Sequence, residues 1–239
     1  MIRIITPVYN AKKYIGYCLA SINMQTYKDW KCYICDDMST DGTVELIKEL
    51  IKDNDKFELI ENTEKIYPSG NYFKTLQRKD IHDEDICISV DGDDRLNDDK
   101  VFENIIKEYD DNTWITYGSF ITWDGINYQQ GFAQPPQLGC DKIRESRFTT
   151  THLRTFKVWL FRKIKEEDFK YENKFIRFCG DLAFMFPMLE MAGDKHSKYL
   201  EKIYYIYNTE TDQNEFKVDI NKARECDNFL RCKPKYKKI

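Results

Sequence analysis

Long hydrophobic runs and an excess of basic residues are both absent from this chain of 239 residues. No apolar stretch approaches the roughly 20 residues that a transmembrane helix needs. Residues 1–7 lack the apolar core and small-residue cleavage site of a signal peptide and indicate a strand instead. We therefore expect a soluble, cytoplasmic protein. With 37 Lys and Arg against 41 Asp and Glu, the formal net charge of −4 also disfavours general or sequence-specific nucleic-acid binding.

Two phosphate-binding signatures are missing as well, and the Cys-x-x-Cys spacing of zinc sites occurs once, without the second pair that such sites need. Neither a Gly-x-x-x-x-Gly-Lys loop nor a Gly-x-Gly-x-x-Gly fingerprint occurs, which disfavours P-loop and dinucleotide sites. Among eight cysteines, Cys32 and Cys35 form the one close pair, inside a predicted strand. Residues three apart on a strand point to opposite faces, which suits neither zinc nor a redox dithiol. We predict free thiols.

Strands and helices alternate along the first half of the chain. Apolar runs predict strands, and helical spacing of apolar residues predicts helices between them. The predicted strands are 2–6, 31–36, 57–60 and 85–90, and the predicted helices are 12–24, 44–51, 71–77 and 99–109. This order predicts an α/β fold with a mostly parallel central sheet flanked by helices.

The second half is less regular and is interrupted by glycine and proline. It carries predicted strands at 114–122, 151–157 and 204–207, and a helix at 181–192 that Pro187 could kink. We predict one domain over residues 1–219, in which 1–110 form a nucleotide-binding half and 111–219 supply specificity toward a second substrate.

The final residues, 220–239, carry seven Lys or Arg against two Asp or Glu. This composition predicts a basic, solvated tail. The alternative is a segment that docks weakly onto an anionic partner or a membrane surface, which would make the protein peripheral to a membrane.

Polar clusters follow three of the predicted strands, at 6–10, 36–37 and 91–94. In open α/β sheets ligands bind beyond the carboxyl ends of the strands, so neighbouring parallel strands would bring these clusters together. Residues 80–111 hold thirteen Asp or Glu against three Lys or Arg. Packed carboxylates repel each other and gain by binding a hard cation such as Mg²⁺ or Mn²⁺. The alternative is an acidic, solvated turn.

Four motifs resemble, in order and spacing, those of family 2 glycosyltransferases of the GT-A fold, over roughly the first hundred residues. A fifth segment, Gly180-Asp181-x-x-Phe184, resembles the catalytic segment of that family more weakly. The four motifs are Thr6-Pro7-Val8-Tyr9-Asn10, Ser21-Ile22-x-x-Gln25-Thr26-Tyr27, Asp36-Asp37-x-Ser39-Thr40-Asp41-Gly42-Thr43 and Asp91-Gly92-Asp93-Asp94.

The resemblance implies an inverting, metal-dependent glycosyltransferase with a GT-A-like fold. Its donor would be a nucleoside-diphosphate sugar, most often a UDP-sugar, and its acceptor a hydroxyl of a glycan, a lipid-linked molecule or a protein. By the same resemblance Pro7 and Tyr9 would line the base pocket, Asp37 would contact the base, and Asp91 would contact the ribose.

The metal and catalytic residues are implied in the same way. Asp93, with Asp91 and Asp94 beside it, would hold Mn²⁺ or Mg²⁺, and Asp181 would be the general base that deprotonates the acceptor hydroxyl. A bare N-cap at the start of the following helix is the competing interpretation of Asp181, and both can hold.

Two departures from the family pattern leave alternatives open. Residues 67–72 replace an Ala-Arg-Asn segment, so that motif does not supply the basic contact to the diphosphate, and Lys65 is a candidate for it. Residues 205–208 replace a Tyr-Arg-x-His segment, so we expect metal coordination to depend more on Asp93, phosphate and water. His82, His152 and His196 are interpreted as surface or structural residues, and His152, at the start of a predicted strand, is the one most open to another role. A nucleotide-sugar-binding module without turnover is therefore the alternative function, and a nucleotidyltransferase is a third.

Overall fold

The computed structural model describes residues 1–212 and 215–239 and shows an α/β fold. The strands are β1 (Ile2–Val8), β2 (Trp30–Asp36), β3 (Phe57–Glu61), β4 (Ile86–Ser89), β5 (Arg95–Leu96), β6 (Ile115–Trp123), β7 (Tyr128–Gln130), β8 (Thr155–Lys157), β9 (Lys170–Tyr171), β10 (Lys174–Phe175) and β11 (Ser197–Asn208). The α-helices are α1 (Ile15–Asn23), α2 (Thr43–Ile51), α3 (Tyr67–Leu76), α4 (Val101–Glu108), α5 (Val158–Phe161), α6 (Leu182–His196), α7 (Glu215–Val218) and α8 (Ile220–Cys232). Short 3₁₀ helices cover Cys140–Glu145 and Glu166–Phe169.

The central sheet has the strand order β3-β2-β1-β4-β8-β6-β11-β5, with β7 paired to β6. Strands β3, β2, β1 and β4 run parallel, as the alternation of strands and helices predicts. The sheet becomes mixed beyond β4, because β8 lies antiparallel between β4 and β6 while β6 and β11 pair in parallel. The predicted α/β class is confirmed, and the mostly parallel arrangement holds for the first four strands.

Two hydrophobic cores cover the two faces of the sheet. Ile4 and Cys32 belong to one core, whereas Ile5 and Cys35 belong to the other, since side chains alternate along each strand. The predicted free thiols are confirmed, and Cys32 and Cys35 point to opposite faces as their spacing requires.

The parallel strands end at a common edge. In the register of β1 with β2, Val8 lies opposite Asp36, so the polar residues that follow both strands emerge side by side. The Asp-rich turn after β4 reaches the same edge, because the backbone N–H of Gly92 donates to the carbonyl of Pro7 at 3.0 Å. The three polar clusters therefore converge, because β1, β2 and β4 are parallel neighbours whose carboxyl ends lie at the same edge of the sheet.

Two local expectations in the second half differ from the structure. The predicted strand at 151–157 is reduced to β8, and His152 lies in the loop before it rather than at the start of a strand. Pro187 lies inside α6, but the residue with non-helical dihedrals in this helix is Gly193, at φ 60°. The left-handed backbone there favours glycine, which explains the position of the break.

Residues 220–239 do not form the predicted solvated tail. Ala223, Cys226 and Leu230 recur at helical spacing on α8 and are buried in the core. Further along, Lys233 binds the Asp168 carboxylate at 3.1 Å, and Tyr236 donates to the same carboxylate at 2.6 Å. The solvated tail was predicted from net charge, which does not register the helical spacing of the apolar residues in α8. Some of the basic side chains of this segment are also paired within the fold. A domain boundary at residue 219 stays a prediction.

None of the helices in residues 1–212 and 215–239 has the combination of length and apolarity required to cross a lipid bilayer.

Candidate active site

A cavity of about 900 Å³ opens at the edge where β1, β2 and β4 end. It extends to the loop before β8 and to the N-terminus of α6. All seven residues that the sequence singled out for donor, metal and catalysis line this cavity, which brings residues from both halves of the chain together. They are Pro7, Tyr9, Asp37, Lys65, Asp91, Asp93 and Asp181. Their individual roles stay predictions.

The Asp-rich turn is held against β1 by close backbone packing. A Cβ added to Gly92 would lie 2.9 Å from Val8 Cγ2 and 3.1 Å from the carbonyl oxygen of Pro7. A side chain would therefore push the turn away from the end of β1. The glycine between Asp91 and Asp93 lets both carboxylates stand at the cavity wall.

The carboxylates of this turn are packed at a high electrostatic cost. Burial raises the pKa of Asp91, Arg154 opposes it, and the charges of Asp93 and Asp181 add to it, which together place this pKa at about 7. Burial also raises the pKa of Asp93. The pKa of Asp94 lies well above its usual range because of burial and the charges of Asp93 and Asp91. Such a cluster is stabilised by a cation.

Asp94 is tied to β11 and differs from its two neighbours. Its carboxylate accepts a hydrogen bond from the Tyr205 hydroxyl at 2.8 Å and another from the backbone N–H of Asn208 at 2.7 Å. Asp91 and Asp93 line the cavity, whereas Asp94 does not. Asp94 therefore holds the end of β11 to the turn.

The donor set fits a hard divalent cation. Asp91, Asp94 and His152 offer ligand atoms that lie within 4.8 Å of one another. Burial, with the nearby Arg154 cation, holds the pKa of His152 well below its usual range, so the ring is neutral. Within residues 1–212 and 215–239, His152 Nδ1 is buried without a hydrogen-bond partner. Carboxylate oxygens suit Mg²⁺ or Mn²⁺, and a neutral imidazole is compatible with the latter.

His152 is fixed by aromatic stacking that sequence reasoning did not reveal. Its ring stacks on Tyr205 at 4.5 Å between centroids, with planes 5° apart, and on Tyr207 at 5.4 Å. Both tyrosines belong to β11, in the segment that lacks the expected histidine. The imidazole at this site therefore comes from the loop before β8 and not from residues 205–208, where the family pattern has its histidine.

Arg154 is a site residue that the sequence analysis missed. Its guanidinium Nη2 donates to Asp181 Oδ2 at 2.6 Å, and the side chain is buried. The charges of Asp181 and Asp91 raise the pKa of Arg154, while burial opposes them. No motif contains this arginine, and its proximity to both carboxylates arises only when β8 inserts beside β4.

Asp181 satisfies both interpretations of its motif. Its Oδ1 accepts from the backbone N–H of Leu182 at 3.0 Å, so the side chain caps α6. Its Oδ2 is paired with Arg154, and the residue also lines the cavity. The cap and the ion pair fix the carboxylate in one orientation.

Asp37 and Tyr9 lie on the opposite wall. Asp37 accepts hydrogen bonds from the backbone N–H groups of Ile66 at 2.9 Å and Tyr67 at 3.1 Å, so its carboxylate anchors the start of α3. Lys65 Nζ lies 3.1 Å from the centroid of the Tyr9 ring, a cation–π contact that covers the half-exposed tyrosine.

Comparison with known proteins identifies relatives of this arrangement. The family model described as Glycosyl transferase family 2 matches residues 3–169. Over 210 residues the chain is 31 % identical to a hyaluronan synthase of Pasteurella multocida, an alignment that covers 86 % of this chain and 20 % of the synthase. The chain spans 18–39 % of the length of three other curated bacterial glycosyltransferases that it matches.

Solved structures show the same fold. TarS of Staphylococcus aureus superposes with a TM-score of 0.66 at 18 % identity, covering 87 % of this chain and 60 % of the TarS chain, and TarS has also been solved with UDP-GlcNAc. The mannosyltransferase PcManGT of Pyrobaculum calidifontis, solved with GDP-Man and Mn²⁺, superposes with a TM-score of 0.58 at 16 % identity, covering 86 % and 56 %. The expected GT-A-like fold is confirmed.

Proposed function

Because the chain belongs to glycosyl transferase family 2, we propose that it transfers a sugar from a nucleoside-diphosphate sugar to an acceptor hydroxyl, with inversion. A UDP-sugar is the first candidate donor, and the acceptor is a glycan, a lipid-linked molecule or a protein. One observation carries the proposal: the cavity places the carboxylates of Asp91 and Asp93 and the oriented carboxylate of Asp181 in one lining.

The nucleotide would bind at the edge formed by β1 and α3. Tyr9 offers an aromatic face once the Lys65 ammonium moves aside, and Pro7 offers an apolar surface next to it. Asp37 holds the first turn of α3 through the backbone N–H groups of Ile66 and Tyr67. We infer that Asp37 shapes the base pocket through α3 at least as much as by direct contact.

The chain's acidic turn would hold a divalent cation. Asp91 and Asp93 face the cavity and would supply carboxylate ligands, and Asp94 and the neutral His152 bring further donor atoms within 4.8 Å of Asp91. When bound, Mn²⁺ or Mg²⁺ neutralises charge that develops on the diphosphate as the glycosidic bond breaks. The PcManGT complex with GDP-Man and Mn²⁺ supports this choice of ions.

Asp181 would act on the acceptor. A sugar hydroxyl is a poor nucleophile at neutral pH, so a positioned carboxylate must take its proton as it attacks the anomeric carbon. Each oxygen of Asp181 accepts one hydrogen bond, from Leu182 N–H and from Arg154, and keeps a lone pair that can accept this proton. Arg154 thus orients the base without occupying it.

The test is a screen of UDP-, GDP- and dTDP-sugars, each with Mn²⁺ and with EDTA, by melting temperature and by release of the free nucleotide. We expect one nucleotide class to stabilise the protein by ~2.7 kcal/mol at 100 times its dissociation constant. Stabilisation without nucleotide release, with or without candidate acceptors, would favour a nucleotide-sugar-binding module. Release of pyrophosphate from a nucleoside triphosphate and a sugar phosphate would indicate a nucleotidyltransferase instead.

A further inference from the structure

Cationic side chains line the cavity together with the carboxylates of its acidic turn. Lys65, Arg154, Arg177 and Arg224 all line it. Arg154 is already bonded to Asp181, and Lys65 lies over Tyr9. Arg224 stands on α8, at the far wall. Under the proposed function, a diphosphate with two or more negative charges must find a partner among these cations in addition to a metal ion.

Arg177 is placed by a segment that packs on the first turn of α3. A Cβ added to Gly70 would lie 2.8 Å from Cγ of Phe175, so the phenyl ring occupies the space of a side chain at this position of the helix. Beside it, the Ser69 hydroxyl donates to the carbonyl of Ile176 at 2.7 Å. These two contacts fix residues 175–176 on α3, and Arg177 follows directly at the cavity wall.

The Arg177 guanidinium is available to an anion. It lies over aromatic rings, 4.9 Å from the centroid of Phe178 and 6.0 Å from that of Tyr67. In residues 1–212 and 215–239 it has neither an ion pair nor a hydrogen bond, unlike Arg154. A guanidinium stacked on rings keeps the N–H groups at its edge free, and these match the geometry of phosphate oxygens.

The helix itself contributes little positive charge of its own at this wall. The backbone N–H groups of Ile66 and Tyr67 donate to Asp37, and Pro68 has no N–H. None of the residues in the first turn of α3, Tyr67-Pro68-Ser69-Gly70, has a basic side chain. The neighbouring segment 175–177 therefore supplies the cation that this turn of the helix lacks.

We propose that Arg177 binds the donor diphosphate, as a charge-assisted contact delivered from the second half of the chain. This inference rests on the proposed function. Arg177 stands four residues before Asp181, so the residue that binds the leaving group and the residue that meets the acceptor belong to one short segment. Arg177 is a binding residue on the donor side, and its loss acts on diphosphate affinity rather than on recognition of the base.

The experiment compares a nucleoside diphosphate with its nucleoside. Affinities of UDP and uridine, of GDP and guanosine, and of dTDP and thymidine are measured by calorimetry in Mn²⁺ for the wild type, Arg177→Gln, Arg177→Lys and the matched control Arg224→Gln. Arg177 is exposed and unpaired in the described residues, so its substitution should leave the melting temperature unchanged. We expect Arg177→Gln to lower the affinity for the nucleoside diphosphate about ten- to a hundredfold and to leave the affinity for the nucleoside unchanged. Arg177→Lys should restore part of the lost affinity.

Three outcomes would overturn the inference. Equal affinity of wild type and Arg177→Gln for the diphosphate would show that the guanidinium makes no contact. Equal losses for diphosphate and nucleoside would assign Arg177 to the base pocket. A selective loss in Arg224→Gln alone would place the contact on α8. If the wild type bound none of these nucleotides, the proposed function would fail first, and this inference with it.

Discussion

Replacing Asp91 by Asn should stabilise the metal-free protein above pH 7. The pKa of Asp91 is raised from its usual 3.8 to about 7, chiefly by burial. The folded state therefore binds more protons than the unfolded state between about pH 4 and pH 7, so wild-type stability falls as pH rises through that window. At 1.36 kcal/mol per pKa unit the ionised carboxyl costs up to ~4 kcal/mol. We expect Asp91→Asn to recover about 1–4 kcal/mol at pH 8, because Asn keeps the shape and removes the charge.

The assay is urea unfolding in EDTA at pH 8 and at pH 4.5, for the wild type, Asp91→Asn and the exposed control Asp111→Asn. The gain should be present at pH 8, shrink strongly at pH 4.5, and be absent from the control. With Mn²⁺ and the cognate nucleotide the order should reverse, since the variant loses a proposed ligand. If Asp91→Asn were less stable than the wild type in EDTA at pH 8, the claim that repulsion and burial of these carboxylates destabilise the metal-free protein would be refuted.

Three further predictions follow from the same contacts. Asp181→Asn should keep the α6 cap and nucleotide affinity, since Asn caps about as well as Asp, while transfer falls at least about a hundredfold; near-normal transfer by the folded variant would reject the base. The cognate nucleotide should raise the melting temperature more in Mn²⁺ than in EDTA, and Asp93→Ala should abolish that difference; equal stabilisation in wild type would reject the metal. Glu190→Ala should cost about 3–5 kcal/mol in urea unfolding, because Arg144 donates to Glu190 at 2.5 and 2.9 Å deep in the core; a loss below 1 kcal/mol would contradict this.

Local sequence pattern was sufficient for the first half of the fold. The alternation of apolar strands with helices of regular spacing determined a parallel arrangement of β1 to β4, and parallel strands end at one edge. Pro7 lies near the end of β1, and Asp37 and Asp91 follow β2 and β4, so their meeting at one edge of the sheet could be predicted from the sequence.

Contacts between residues distant in sequence brought three further side chains to the cavity that the sequence pattern did not predict. Arg154 meets Asp181 because β8 inserts antiparallel beside β4, and no spacing along the chain encodes that pairing. His152 is held beside the acidic turn because β11, more than 50 residues later, supplies the tyrosines on which it stacks, while burial and the charge of Arg154 lower its pKa. Arg177 reaches the cavity because Phe175 covers Gly70.

The C-terminal segment shows the difference between composition and fold. Its basic residues indicated solvation, yet Ala223, Cys226 and Leu230 bury one side of α8 in the core that contains α6. By itself the sequence determined that β1 to β4 run in parallel and that their polar ends share one edge, because the alternation of strands and helices is a property of neighbouring residues. Tertiary structure alone decided which charges are buried and paired, because burial and ion pairing depend on residues that are distant in the chain and close in space.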